Sequence, residues 1–215
     1  MTTCLELTVL DQTPLPRPAA FKALAHCVGV TALLLARGRV HLPPGHVGMR
    51  LQFADGATAR VYRETVVDRP PPRDPCVLVV AFRLRAVHGS GHALFRAESL
   101  LNTPLFVGFP GYVSKLWLTH DEHEVYRGLY EWDGSRLAAA YARALWRVLA
   151  LVCVPGSVHY MVLPGLHRDD ILREPQLLES SSSSDANAWW RLVAASRRGA
   201  QELTDRSERR RPKAK

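Results

Sequence analysis

The sequence predicts an α+β fold, and two observations lead there. Residues 77–163 read as strand, helix, strand, strand, helix, strand, and the middle pair of strands alternates aliphatic with aromatic side chains. Size agrees: 215 residues, 47% hydrophobic and 22% charged, can bury one substantial core with additions around it.

The chain opens on an extended segment closed by Pro14, Pro16 and Pro18, after which residues 19–36 are rich in Ala and Leu and predict a helix. Its apolar residues spread around most of the cylinder, which implies burial on several sides or an apolar partner. HVGMRLQFADGATARVYRETVV then alternates Met49, Leu51 and Phe53 with polar neighbours and turns at Asp55-Gly56, a strong hairpin signal. RPPPRDP, residues 69–75, interrupts all regular structure. Residues 1–75 are therefore expected to be an accessory region of helix and hairpin, 76–166 the main domain, and 167–215 a tail.

Within the main domain VLVVAFRLR, residues 77–85, is apolar and β-branched enough for a central strand. HALFRAESLL, opened by HGSG, predicts a short helix, and the Gly/Pro-rich FVGFPG connects it to the next strand. Residues 112–119 and 125–132 form a hairpin across HDEHE. Ser135 is the expected N-cap of the second helix, whose stripe runs Leu137, Tyr141, Ala144, Leu145, Val148, Leu149, Val152, with Arg136, Arg143 and Arg147 away from it. Pro155-Gly156 ends that helix, and SVHYMVL, residues 157–163, is the last strand. In the tail, Ser180 to Ser184 reads as a flexible linker, and a short amphipathic helix is expected around Trp189 and Trp190.

Two β-α-β halves joined through a hairpin are the ferredoxin-like pattern, with helices on one face of a four-stranded antiparallel sheet. Strand alternation groups Leu116, Leu118 and Leu129 on one face and Lys115, Trp117, Gly128, Tyr130 and Trp132 on the other. Assigning the aliphatic set to the helices leaves the aromatic set on the open face, where a second sheet or a second chain is expected to cover it.

The formal charge of +8 suggests nucleic acid or an acidic membrane at first sight, but eight positive charges fall between Arg197 and Lys215. No aromatic residues interleave with them, so a nucleic-acid partner is not expected. The longest apolar stretch, residues 21–36, contains Lys22 and His26 and falls short of a span, so membrane association is not expected either. The four cysteines, Cys4, Cys27, Cys76 and Cys153, stand far apart and form no CxxC pair, as for reduced thiols in a cytoplasmic protein. The opening residues lack the basic stretch of a signal peptide.

YVSKLWL, YRGLYEWDG followed by AAAYARAL, and SVHYMVL resemble the dimeric α+β barrel proteins, and most of all the YdhR-like monooxygenases, over residues 77–163. The resemblance implies a homodimer acting on a small organic substrate, and oxygenation without metal or flavin in some members. The region before Pro70 and the tail after Leu166 match nothing in that family, and the extra hairpin could cover the open sheet face from within the same chain.

A lysine between hydrophobic strand positions must reach a rim, pair with an acid such as Glu131, or face a ligand. In the last case Lys115 stabilises an enolate or phenolate, with His159 the candidate base. Trp117, Tyr130 and Trp132 would supply flat walls, and Arg83 could hold a substrate carboxylate. Each residue also has an ordinary structural reading: aromatic core, satisfied histidine, ion pair. His120 and His123 sit in a hairpin turn rather than on one helix face, so no metal is expected, and haem ligation would rest on His92 alone. A monooxygenase of the barrel type is the leading expectation. A polyketide-type cyclase or isomerase, or a non-catalytic binding module, is the alternative.

Overall fold

The computed structural model describes residues 13–85, 103–179 and 188–197. The expected helix at 92–101, the HGSG that opens it, the serine run and nearly all of the basic tail lie outside the described residues.

Helix α1 is Arg17–Ala36, and strands β1 (Val40–His41), β2 (Arg50–Phe53) and β3 (Thr58–Val67) follow. The β2–β3 turn is the one read from Asp55-Gly56: Gly56 has φ 85°, and the Asp55 carboxylate accepts from the Ala57 N–H. Strands β4 (Pro75–Arg83), β5 (Tyr112–Leu118) and β6 (Val125–Asp133), helix α2 (Ser135–Val152) and strand β7 (His159–Pro164) make the central unit. Helix α3 (Arg168–Arg173), a 3₁₀ turn at Pro175–Leu178 and strand β8 (Leu192–Ser196) follow.

The central strands lie in the order β7-β4-β6-β5, each antiparallel to its neighbour, which is the ferredoxin-like sheet. The sheet continues beyond β5 through β3, β2 and β8. The early hairpin is thus hydrogen-bonded into the same sheet, with Thr65 opposite Lys115 and Arg63 opposite Trp117.

Three local expectations are corrected. Gly134, at φ 112°, is the N-cap of α2 and Ser135 is its first residue; the Gly134 carbonyl accepts from the Leu137 and Ala138 N–H groups. The segment after Trp190 is strand β8 and not a helix, because pairing Leu51 with Ala195 and Gln52 with Ala194 satisfies the edge of β2, and that ladder overrides the local preference of alanine. The HDEHE link is not wholly solvated: Asp121 is buried, ion-paired to Arg127, and accepts from the His123 and Val125 N–H groups.

The largest correction concerns the two faces of the sheet. The residues group as alternation requires, but the cover is reversed. Trp117, Tyr130 and Trp132 pack with Leu78 and Val80 against Ala138, Tyr141, Ala142 and Leu145 of α2. Leu116, Leu118 and Leu129 lie on the far face with Val77, Val79 and Leu163, covered by Leu51 and Phe53 of β2, Ile171 and Leu172 of α3, Leu178 and Trp190. The physical reason is volume: a helix face built from alanines leaves room that only large sheet residues fill at native density. A partner chain is not required to bury the aliphatic face, since the curled sheet and the tail do so within one chain.

Candidate functional site

A cavity of about 460 Å³ lies between the sheet and the second half of α2. Leu145, Val148 and Leu149 of the helix and Lys115, Trp117, Gly128 and Tyr130 of the hairpin line it. Its walls are mainly apolar with few polar groups, as ligand cavities are.

Lys115 is 7% exposed, and its ammonium position sits among three rings: 3.2 Å from the centroid of Trp117, 4.6 Å from Phe106 and 4.7 Å from Tyr130. Among the described residues no carboxylate pairs with it. Glu131, the acid considered from sequence, faces away and is bound 2.8 Å from His167 Nδ1. Lys115 is therefore not paired with Glu131 and lines the cavity. Burial pushes the pKa of the amine well below the ordinary lysine range, and the nearby positive charge of Arg63 pushes it the same way.

Trp117 is held by a hydrogen bond from Nε1 to Thr65 Oγ1 at 3.0 Å, and the Arg63 guanidinium carbon lies 4.1 Å from its ring centroid. The Tyr130 ring lies over Gly128, where a Cβ would come within 2.8 Å of Cε2. Tyr141 Oη donates to Tyr130 Oη at 3.4 Å. Burial raises the pKa of both phenols, so both stay neutral and serve as polar points on an apolar wall.

Phe106 arrives through an anchored loop. Cys27 Sγ and Thr31 Oγ1 of α1 both donate to the Pro104 carbonyl, at 3.2 and 3.5 Å. At Gly108 a Cβ would lie 2.2 Å from the Cys27 carbonyl oxygen, so only glycine lets the loop pass this close to α1. Phe106 then meets Trp117 and Tyr130 edge-on and Tyr112 at a tilt.

The remaining sequence candidates are not brought to this cavity. Trp132 is fully buried between Tyr112 and Tyr141, a core residue that does not line it. Arg83 is exposed at the end of β4, on the other face, and it is Arg85, beyond the strand, that reaches the cavity wall. His159 lies opposite Ala81 in β7, exposed, with its ring 5.9 Å from Trp189. The neighbouring Tyr160 faces the helices, so His159 and Lys115 stand on opposite faces of the sheet.

Sequence reasoning missed Tyr62, Phe106, Tyr126 and Phe82 as lining residues. Tyr62 belongs to the hairpin read as accessory, and Phe106 to a connection read only for its glycines and proline. Phe82 shares the face of Leu78 and Val80, as period-two alternation along β4 requires.

No protein-family model matches the chain, and no curated protein sequence matches it. Among solved structures, a ferredoxin-fold protein from Listeria monocytogenes 4b F2365, described as uncharacterized and related to antibiotic biosynthesis monooxygenases, is similar over 52% of this chain, at 14% identity and TM-score 0.36. An anthrone oxidase-like protein is similar over 52% of this chain, at 17% identity and TM-score 0.34. The match spans 66% of the first of those chains and 55% of the second, under two thirds of either. Likenesses this distant leave the fold and the site resting on the geometry described above.

Proposed function

We propose that the chain is a small-molecule enzyme of the α+β barrel type, a cofactor-independent monooxygenase that takes a planar, enolisable or phenolic substrate into the cavity between the sheet and α2. The observation that carries this reading is a single one: a lysine with no carboxylate partner among the described residues faces an apolar, aromatic cavity. An amine whose charged form is disfavoured by burial gives up its proton at a lower pH than an ordinary lysine, which makes it available as a base. Having taken the acidic proton of the substrate, it becomes a counter-ion within reach of the anion it has made. Lys115 then performs both steps that the sequence had divided between Lys115 and His159.

Trp117, Phe106 and Tyr130 would hold the ring of the substrate, and the neutral hydroxyls of Tyr130 and Tyr141 would orient an oxygen on it. The substrate anion supplies the electrons: dioxygen adds to its carbanionic carbon, and loss of water leaves a carbonyl there, one oxygen atom in product and one in water. The strand motifs that resemble the YdhR-like proteins support this chemistry, as does the absence of any need for a second base.

Oxygen uptake by the purified protein with a panel of hydroxylated aromatics and quinols tests the reading, alongside quenching of tryptophan fluorescence by the same compounds. Saturable quenching with oxygen consumption that is lost in Lys115→Met supports it. Saturable quenching with proton exchange but no oxygen consumption makes the enzyme an isomerase or cyclase instead, and no quenching by any compound removes the site.

A further inference from the structure

The chain contains 24 arginines and four lysines. Lys22 is exposed on α1, Lys213 and Lys215 stand at the end of the sequence, and Lys115 is the one placed in the cavity. Arginine would supply a cation there equally well, and more persistently, because its guanidinium does not lose a proton in proteins. What a lysine offers and an arginine cannot is a free electron pair on nitrogen. In a chain that uses arginine for nearly every positive charge, a lysine at this position points to chemistry of the neutral amine.

The surroundings of Nζ are those of a nucleophile. It is enclosed by the rings of Phe106, Trp117 and Tyr130, has no carboxylate or hydrogen-bond acceptor as partner among the described residues, and borders open cavity. An amine held as an ion pair is unreactive toward carbonyl carbon. For one without such a pair, burial and the nearby cation Arg63 both lower the pH at which the lone pair becomes free, relative to an ordinary lysine. The aromatic walls would also shield the product from hydrolysis by excluding water.

We propose that Lys115 captures planar aldehydes and ketones covalently, so that the substrate class of this site is an aromatic or conjugated carbonyl compound. The step balances without a co-reactant: Nζ adds to the carbonyl carbon, both amine hydrogens leave with the carbonyl oxygen as water, and a C=N bond replaces C=O. Once it is the imine nitrogen, Lys115 is no longer a free base, so this capture is a second use of the same amine, for substrates whose carbonyl reaches Nζ, and not a stage of the proton abstraction proposed above. The inference rests on the reading of the cavity as a small-molecule site, but not on oxygen chemistry.

Two probes of the same shape separate the two ideas. 2-Naphthol reports on occupancy of the cavity by quenching of Trp117. 2-Naphthaldehyde with sodium borohydride reports on imine formation by leaving a reduced adduct, located by peptide mapping in the wild-type chain at neutral pH. The expected result is an adduct at Lys115 at least ~10-fold above that at Lys22, an exposed lysine on α1. Lys115→Met, checked for folding by circular dichroism, should still bind 2-naphthol and lose that adduct. Binding of 2-naphthol with labelling no greater at Lys115 than at Lys22 would overturn the covalent proposal and leave the cavity reading standing. Failure of both probes in the folded wild-type protein would overturn both.

Discussion

The ring of Tyr130 occupies the space where a side chain at Gly128 would begin: a Cβ there would stand 2.8 Å from Cε2 and 3.3 Å from the hydroxyl oxygen. The two residues are next-but-one on β6 and share its cavity face, so the glycine is what allows the ring to lie along the strand. The tyrosine cannot move freely, because Phe106, Tyr141 and Lys115 surround it. Gly128→Ala is therefore expected to destabilise by about 1–3 kcal/mol as an overpacked site, and to weaken binding of planar ligands out of proportion to the loss of stability. Denaturant unfolding and fluorescence titration on the same variant check this; unchanged binding would contradict it.

Lys115 gives the protein a pH dependence of defined sign. Its folded pKa lies well below the ordinary value of 10.5, so above that pH neither the folded nor the unfolded chain binds the proton and the residue costs nothing. As pH falls through 10.5 the unfolded chain takes up a proton that the folded chain refuses, and stability drops, reaching its full deficit below the folded pKa. Lys115→Met removes this cost. The variant is expected to be more stable than the wild type at pH 7, with the gap closing as pH approaches 10.5. Paired urea melts across that range measure it, and a gap that is constant with pH would contradict the buried neutral amine.

On the far face, Arg168 of α3 reaches Glu64 of β3 at 2.7 Å, both almost wholly buried, and His46 Nδ1 meets the other Glu64 oxygen at 2.7 Å. This cluster ties the tail to the early hairpin. Arg168→Met leaves the Glu64 carboxylate buried with His46 as its ion-pair partner among the described residues and is expected to cost about 3–5 kcal/mol, whereas the double variant Arg168→Met, Glu64→Gln should recover part of the loss. Thermal melts of the four proteins in the cycle decide it; additive losses would mean that the pair does not act as a unit.

Strand β8 covers the edge of β2, and Leu192 is 1% exposed in the far-face core. Leu192→Asp should detach β8, exposing both that edge and the aliphatic core, so the expected result is dye binding to exposed apolar surface and concentration-dependent aggregation. Light scattering and dye fluorescence report both.

His159 is a negative control. With its ring against Trp189 and the sheet between it and Lys115, His159→Ala should leave cavity binding and any turnover within about twofold of wild type, as an exposed residue away from the site. A loss of ~10²-fold or more, the size expected for a general base, would restore the sequence assignment.

The order of the four central strands and of helix α2, the hairpin at Asp55-Gly56 and the grouping of Lys115 with Trp117 and Tyr130 on one face were legible in the sequence, because period and turn chemistry are local properties of the chain. Which face the helices cover was not. Alternation is symmetric: exchanging the two covers leaves every period-two pattern unchanged, so only the volumes of the packed layers could choose, and the alanines of α2 chose the aromatic face. The same limit hid Phe106 and Tyr62, which join the cavity from segments distant in sequence, and it misplaced His159, whose register beside Ala81 puts it across the sheet. The sequence by itself determined which side chains stand together; only tertiary packing decided what they face, because facing is a relation between segments and not a property of any one of them.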